Sequence, residues 1–308
     1  MKILVKGGAG FIASHIVDAY IKLNYQVIVV DNLSTGRREF VNKKAKFYQA
    51  DVRSQKEIEQ IIDSEKPEII NHHAAQISVR ASVEGPIFDA QVNILGLINL
   101  LQAGKKAGVK KFIFASSGGA IYGEADVLPT PESFQPLQPL SPYGISKLTS
   151  EYYLHFYYQL YRIPYLALRY SNVYGERQNP HGEAGVVAIF ARKMLKGEIP
   201  IINGDGKQTR DYIYVGDVAE INKQALTDSH VGAFNVGTGV ETDVLELHAK
   251  LAKIVATEKS PKHGSVRAGE QRRSCLDTTL SKKILGWQAK INLSAGLKKT
   301  VTYFQSHE

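Results

Sequence analysis

The chain has 308 residues and a single cysteine, Cys275, which excludes an internal disulfide framework and predicts a reducing, cytoplasmic location. Its hydrophobic fraction of 44% and charged fraction of 22% are those of an ordinary folded protein, and no apolar run approaches the roughly 18 residues that span a bilayer. The net charge of +8 comes from scattered lysines that form no basic stripe, so we expect neither a nucleic-acid nor a membrane partner.

Short β-branched runs alternate with longer helical patterns along the first part of the chain. We predict strands at residues 2–6, 26–30, 46–49, 68–72, 111–115, 165–170 and 234–236. The helices between them are predicted to begin near Phe11, Gln55, Pro86 and Tyr143. Runs such as ILV, VIVV and FIFA are apolar throughout, which is typical of parallel strands covered on both faces. The predicted fold class is therefore α/β, with a doubly wound parallel (Rossmann) sheet.

The pattern becomes less regular after about residue 175. We predict a helix at 186–196, a turn at NGDGK followed by a strand into Tyr214, and a helix at 218–226 capped by Asp217. Further helices are expected near 243–257 and 294–303. The predicted division assigns residues 1–175 plus about 211–239 to the Rossmann domain. It assigns about 176–210 plus 240–308 to a smaller C-terminal substrate-binding lobe.

A glycine-rich string, GGAGFIASH, follows the first predicted strand. Gly7 and Gly10 let the backbone reverse and approach a phosphate, and the amides of a helix N-terminus stabilise its negative charge. By itself the string also fits a plain strand-to-helix turn. Asp31, however, closes the second strand, where a carboxylate accepts hydrogen bonds from ribose hydroxyls and repels a 2′-phosphate. Together these features predict a site for NAD rather than NADP.

A second string, YGISK, places Tyr143 and Lys147 one helical turn apart. Ser116 and Ser117 follow the predicted strand 111–115, at the sheet edge where ligands bind in such folds. A tyrosine has a pKa near 10, so it needs the positive charge of Lys147 and of bound NAD to act as a base at neutral pH. We predict hydride and proton transfer at one carbon, with Ser117 aligning the substrate oxygen. A buried aromatic ring beside a surface lysine is the non-catalytic alternative.

Ordered strings along almost the whole chain resemble the extended short-chain dehydrogenase/reductases and, within them, the UDP-glucose (UDP-hexose) 4-epimerases. They are GGAGFIASH, DNLSTG, DVR, HHAAQISV, VNILG, SSGGAIYGE, SPYGISK, LRYSNVYG, GDGKQTRDYIYVGDVA and RAGE. The resemblance implies an NAD site made of Gly7, Gly10, Phe11, Ile12, Asp31, Asn32, Asp51, Val52, Ala74, Asn93, Tyr143, Lys147 and Tyr170. It implies a UDP-sugar site in which the smaller lobe takes part, made of Ser117, Tyr143, Asn172, Arg210, Arg267, Glu270 and Ser274.

The catalytic serine is where the chain departs from the family pattern. Some family members have S-S-x-x-V-Y-G, whereas SSGGAIYG has one more residue before Tyr122. Counting forward from the strand selects Ser117, whereas counting back from Tyr122 selects Gly118, which has no hydroxyl. We choose Ser117 as the catalytic serine, with Ser116 as the alternative.

The resemblance implies 4-epimerisation of UDP-hexoses. In this hypothesis Tyr143 takes the 4-hydroxyl proton while the C4 hydride passes to NAD, the 4-keto sugar rotates, and the hydride returns to the opposite face. A 4,6-dehydratase, a UDP-glucuronate epimerase or decarboxylase, and a non-catalytic NAD-sensing module remain as alternatives. Gly118 and Gly119 argue against dehydration and decarboxylation, because they stand where those enzymes carry acid–base side chains.

Ser274 bears on the choice of sugar. It lies five residues after the RAG tripeptide, at a place that resembles the family's size gate opposite the sugar 2-substituent. A bulky tyrosine there is associated with plain hexoses, and a small side chain leaves room for an N-acetyl group. We therefore expect UDP-GlcNAc and UDP-GalNAc to be accepted alongside UDP-glucose and UDP-galactose.

The helix that starts near Tyr143 is unusually aromatic, with Tyr153, Phe156, Tyr157 and Tyr161 at three- and four-residue spacings. Burial against the sheet explains one face of such a helix. Because the rings crowd more than one face, we expect a homodimer, which the family also forms. The histidines match no metal-site spacing, so no metal is expected, and the HH pair of HHAAQISV is interpreted as structural.

Overall fold

The computed structural model describes residues 1–181, 185–266 and 271–307. Its strands are β1 (Lys2–Lys6), β2 (Gln26–Asp31), β3 (Lys46–Gln49), β4 (Ile69–His72), β5 (Lys111–Ser117), β6 (Tyr165–Tyr170), β7 (Asn172–Tyr174), β8 (Ile201–Asn203), β9 (Thr209–Tyr214), β10 (Gly232–Val236), β11 (Glu241–Asp243) and β12 (Lys262–Gly264). Seven of them form one parallel sheet in the order β10-β6-β5-β4-β1-β2-β3. The predicted fold class is confirmed.

The helices are α1 (Phe11–Lys22), α2 (Gln55–Glu65), α3 (Val79–Glu84), α4 (Pro86–Ala90), α5 (Gly96–Ala107), α6 (Gly118–Ile121), α7 (Pro142–Tyr161), α8 (Val186–Leu195), α9 (Val215–Ala225), α10 (Val244–Val255), α11 (Thr279–Leu285) and α12 (Leu293–Ser306). A π-helical stretch, Gln91–Leu95, joins α4 to α5. In the described part of the chain, no helix is both long and apolar enough to cross a membrane.

The large sheet is buried on both faces. Ile3 of β1 packs with α1 and α9 on one side, and its neighbour Leu4 packs with α2, α5 and α7 on the other. Both residues are at most 1% exposed, because successive side chains of a strand point to opposite faces. This two-sided burial explains why the strands read as continuous apolar runs. The chain order reverses between β1 and β4, and ligands bind at the carboxyl ends of the strands beside such a switch point.

The later part of the chain has its own apolar cluster, formed largely by α8, α10 and α12, with Val187, Leu247 and Leu297 at its centre. Two small sheets lie there, one ordered β11-β9-β7 and the other pairing β12 with β8. β10 joins the large sheet, whereas β9 pairs with β7 and β11. The division into a Rossmann domain and a substrate lobe stays a prediction.

The prediction that Asp217 caps a helix is wrong. α9 begins at Val215, directly after β9, and its N-cap residue is Tyr214. Asp217 lies in the first helical turn, where Oδ2 accepts a hydrogen bond of 2.9 Å from the backbone amide of Ile291. Asp217 therefore fixes the chain segment before α12, a contact that local sequence rules do not reveal.

Candidate active site

The glycine-rich turn joins β1 to α1 with little space around its backbone. Gly7 has φ of +87°, and a Cβ there would lie 2.5 Å from the backbone nitrogen of Ala74. A Cβ on Gly10 would lie 3.1 Å from the Gly7 carbonyl oxygen. No side chain caps α1, so the first-turn amides of Phe11 and Ile12 are presented by the helix end itself. A bare helix N-terminus behind a glycine turn fits the pyrophosphate of a dinucleotide.

Asp31 ends β2 beside this turn and is 6% exposed. Its Oδ2 accepts a hydrogen bond of 3.0 Å from the amide of Ala9, and its Oδ1 accepts one of 2.8 Å from the amide of Leu33. These bonds fix the carboxylate at the carboxyl end of the strand, as the NAD prediction requires.

The predicted adenosine contacts lie next to Asp31. Asn32 Nδ2 donates to Asp51 Oδ2 over 2.9 Å, and Val52 is 3% exposed. Asp51 also binds Arg53 at 2.9 Å, and that guanidinium holds the pKa of the Asp51 carboxyl well below its usual value. Asn32, Asp51 and Val52 are thus brought together beside the strand end that carries Asp31.

Ala74 and Asn93 organise the loop after β4. The Ala74 amide donates to the Lys6 carbonyl over 2.9 Å, which places this loop against the glycine turn. Asn93 is 2% exposed, accepts from the Gln76 amide and donates to the Gln76 carbonyl, each over 3.0 Å. Asn93 therefore holds the loop that borders the predicted cofactor site.

Ser117, Tyr143 and Lys147 come together at the carboxyl end of β5. Ser117 is the last residue of β5, and its hydroxyl lies next to the Tyr143 phenol. Burial raises the pKa of Tyr143 to about 12, and the nearby Ser117 hydroxyl acts in the opposite direction. The ammonium of Lys147, 4% exposed, lies 5.8 Å from the centre of the Tyr143 ring and donates to the Ala115 carbonyl over 2.7 Å. Burial lowers the pKa of Lys147 to about 8.

Ser116 belongs to a different network. Its hydroxyl donates over 2.5 Å to Oε1 of Glu151, which lies on α7 eight residues after Tyr143. Glu151 forms a buried ion pair of 2.7 Å with Arg169, which also donates to the Tyr122 hydroxyl over 2.8 Å. The structure therefore places Ser117, and not Ser116, beside the tyrosine.

Tyr170, which ends β6, joins a buried polar group that sequence reasoning missed. Its hydroxyl accepts from Asn222 Nδ2 over 2.8 Å and lies 3.0 Å from His73 Nε2. The two rings stack, with their centres 5.8 Å apart. Burial, reinforced by the charge of Lys147, lowers the pKa of His73 to about 3, so the imidazole is neutral. The position of His73 just after β4 was the available signal, because site residues gather at strand ends.

The predicted substrate residues lie on neighbouring segments. Asn172 begins β7 and Arg210 lies on β9, which pairs with it. A Cβ on Gly119 would lie 3.7 Å from Asn172 Oδ1, so Asn172 is next to the turn that follows Ser117. Arg210 donates to the Thr209 carbonyl over 2.7 Å.

The segment that carries Ser274 approaches the same turn. Ser274 is 6% exposed, and two residues later Leu276 packs so closely on Gly118 that a Cβ there would lie 2.5 Å from Leu276 Cδ1. Arg267 and Glu270 lie outside the described residues. Within those residues, no group of three His, Cys, Asp or Glu side chains is arranged to hold a metal ion.

A parallel sheet with a glycine turn at its switch point, and with serine, tyrosine and lysine at the end of β5, defines a short-chain dehydrogenase/reductase. The comparisons with known proteins narrow this class. The model of the "NAD dependent epimerase/dehydratase family" matches residues 3–237. The chain belongs to this family, and the predicted resemblance and the NAD cofactor are confirmed.

Three solved structures give the degree of similarity. The UDP-glucose 4-epimerase of Thermotoga maritima, with UDP-glucose, is 49% identical, with a TM-score of 0.98 and coverage of 100% of this chain and 99% of that one. The UDP-glucose 4-epimerase of Thermus thermophilus, in complex with NAD, is 43% identical, with a TM-score of 0.94 and full coverage (100%) of both chains. The UDP-N-acetylglucosamine 4-epimerase of Methanobrevibacter ruminantium M1 is 33% identical, with a TM-score of 0.94 and coverage of 100% and 99%.

Proposed function

We propose that this protein is an NAD-dependent UDP-hexose 4-epimerase that interconverts UDP-glucose and UDP-galactose. The observation that carries the proposal is the placement of the Ser117 hydroxyl next to the Tyr143 phenol, with the Lys147 ammonium 5.8 Å from the centre of the tyrosine ring. Full-length similarity to UDP-glucose 4-epimerases at 43% and 49% identity supports the same reaction.

The residues around the glycine turn fit NAD. Gly7 leaves no room for a Cβ beside the backbone and Gly10 leaves little, and the uncapped first turn of α1 binds the pyrophosphate. Asp31 accepts hydrogen bonds from the adenosine ribose and repels the 2′-phosphate of NADP. When bound, NAD accepts the hydride from C4 of the sugar and returns it to the opposite face.

The chain's own contribution to the reaction is proton transfer at one oxygen. Tyr143 Oη takes the proton of the sugar 4-hydroxyl and later returns it, so one base serves both halves of the reaction. Ser117 aligns the sugar oxygen by a hydrogen bond. Lys147 supplies the positive charge that favours the phenolate, which burial alone disfavours. Asn172 and Arg210 hold the diphosphate of the substrate. Asn172 lies beside the turn that follows Ser117, and Arg210 lies on β9, which pairs with the strand of Asn172.

Dehydration and decarboxylation need further acid–base groups next to the serine. Gly118 and Gly119 supply none. The close packing of Leu276 on Gly118 also leaves no room for a side chain at that position. This arrangement favours epimerisation over the other reactions of nucleotide-sugar enzymes.

Proton NMR of the purified protein with UDP-galactose tests the proposal. We expect UDP-glucose to appear until the two sugars reach equilibrium, and we expect Tyr143→Phe to abolish this turnover while NAD stays bound. A 4-keto-6-deoxy product from UDP-glucose, or decarboxylation of UDP-glucuronate, would contradict it and favour one of the related reactions.

We further propose that UDP-GlcNAc and UDP-GalNAc are substrates. Ser274 is small and lies two residues before Leu276, which packs on Gly118, and a relative of 33% identity is named a UDP-N-acetylglucosamine 4-epimerase. Ser274→Tyr should lose turnover of the N-acetylated sugars and keep that of UDP-galactose. Equal loss with both kinds of sugar would contradict the size-gate role.

We also propose a homodimer, formed in the cytoplasm as the single cysteine suggests. Tyr152 and Phe156 of α7 are 65% and 50% exposed, and Ile87 of α4 is 76% exposed on an element packed against α7. Tyr157, by contrast, is 3% exposed and packs on the sheet. An apolar face of this kind fits a second copy of the chain. Sedimentation should give a dimer at micromolar concentration, and Phe156→Glu should give a monomer; a monomeric wild type would contradict the proposal.

A further inference from the structure

Asp89 is a fully buried carboxyl group on α4, facing α7, with 0% of its surface exposed. Its Oδ1 accepts hydrogen bonds from Gln76 Nε2 and Asn93 Nδ2, each over 3.0 Å. Its Oδ2 accepts one of 2.5 Å from the Ser146 hydroxyl. These partners are neutral donors, so the hydrogen bonds hold the carboxylate in place without cancelling its charge.

The hydrogen bond to Ser146 reaches the catalytic turn of α7. Ser146 lies three residues after Tyr143 and immediately before Lys147. Asp89 thus joins this turn to Gln76 and Asn93, which shape the loop that follows β4. Its negative charge acts on both catalytic groups: it adds to the rise in the pKa of Tyr143 that burial causes, and it raises the pKa of Lys147 against the effect of burial.

We propose that Asp89 is a positioning residue of the reaction, which anchors the catalytic turn of α7 and keeps Lys147 in its ammonium form. The inference deepens the proposed function and rests on it. A deeply buried lysine loses its proton readily unless a negative charge is near. Asp89 supplies this charge from α4, which packs against α7.

Other charged groups face this region from each element packed around it. Glu151 of α7 is paired with Arg169, and its charge also raises the pKa of Lys147, though less than that of Asp89 does. Arg80 of α3 is paired with Glu84 at 2.9 Å. Arg53, stacked over Phe88, is paired with Asp51, and the π-helical stretch contributes no titratable side chain. Burial lowers the pKa of both His72 and His73, so both stay neutral. Lys147 and Tyr143 are therefore the groups whose ionisation responds to Asp89.

Asp89→Asn removes the charge and keeps the shape. Its Oδ1 can accept from Gln76 and Asn93, while its Nδ2 donates to the Ser146 oxygen. The holoenzyme is assayed in two ways: the pH dependence of kcat with UDP-galactose, and the ultraviolet absorbance of the Tyr143 phenolate, corrected with Tyr143→Phe. We expect both limbs of the kcat profile and the phenolate titration to move to lower pH by about 0.5 to 1 unit.

Ser146→Ala is the matched control, because it breaks the anchor and leaves the charge. We expect it to lower kcat and to leave the limbs of the profile in place. The proposal is overturned if folded Asp89→Asn keeps both limbs of the kcat profile and the phenolate titration at the wild-type pH. If Asp89→Asn does not fold, Asp89→Ser is judged by the same titrations, and failure of both to fold makes Asp89 a structural residue only.

Failure of the proposed function is distinguishable in the same experiment. A wild type that does not turn over UDP-galactose contradicts the epimerase proposal. The phenolate titration needs no substrate, so it still decides whether the charge of Asp89 acts on Tyr143.

Discussion

The two adjacent serines at the end of β5 provide a stringent test of the site, because they sit on opposite faces of one strand. The Ser117 hydroxyl lies next to the Tyr143 phenol, whereas Ser116 donates to Glu151 over 2.5 Å. Ser117→Ala removes the group that aligns the sugar oxygen and assists proton transfer. We expect kcat to fall by about 10²- to 10⁴-fold, the usual contribution of such a group, with little change in stability.

Ser116→Ala should have the opposite effect. Glu151 keeps its ion pair with Arg169 at 2.7 Å and loses one donor. Leaving a buried acceptor one partner short costs about 1–3 kcal/mol. For a chain of this size that lowers Tm by roughly 2–6 °C. Because the Ser116 hydroxyl is bound to Glu151 and not to Tyr143, kcat should stay within about threefold of the wild type.

Proton NMR of UDP-galactose turnover and calorimetric unfolding measure the two effects on the same preparations. NAD content is determined for each variant, so that loss of cofactor is not read as loss of catalysis. If Ser116→Ala loses turnover by about 100-fold or more at an unchanged Tm while Ser117→Ala stays active, the assignment of the catalytic serine is wrong.

Three further outcomes are expected. Gly7→Ala should cost about 2 kcal/mol or more and release NAD, because φ is +87° and the Cβ would lie 2.5 Å from the Ala74 nitrogen. Gly108→Ala is the control, because φ there is +76° but the added Cβ meets nothing within 4 Å, so this variant should retain NAD normally. Equal NAD retention in both variants would contradict the role of the glycine turn. Asp31→Asn should lower the ratio of the affinities for NAD and NADP by about tenfold or more in binding assays. An unchanged ratio would show that the carboxylate does not determine the choice of cofactor. Because the pKa of Lys147 is about 8, its ammonium is present below that pH and lost above it, so kcat should fall as pH rises past about 8, and a flat alkaline profile would argue against this role.

The sequence by itself determined the strands of the large sheet and the cofactor turn. The strands predicted at 2–6 and 165–170 have the bounds found in the structure, because parallel strands covered on both faces are largely apolar. The strand at 46–49 also has its predicted bounds, although it is a half-exposed edge strand. The glycine turn was equally readable, since Gly7 adopts a positive φ that other residues rarely tolerate. The order of these elements was enough to predict the fold class and the region of the site.

Only the tertiary structure decided which side chains act together. Ser116 and Ser117 point to opposite faces of β5, and only the packing of α7 against the sheet decides that Ser116 meets Glu151 and Ser117 meets Tyr143. Counting along the chain selects Ser117 from the strand and Gly118 from Tyr122. The sequence did not reveal the partners of Asp89 and His73, since Ser146 and Tyr170 are 57 and 97 residues away. The helix start predicted at Asp217 is wrong for the same reason, because its carboxylate accepts a hydrogen bond from the amide of Ile291, 74 residues later. Local patterns report backbone conformation and burial, whereas the pairing of polar groups is set by how distant helices and strands pack.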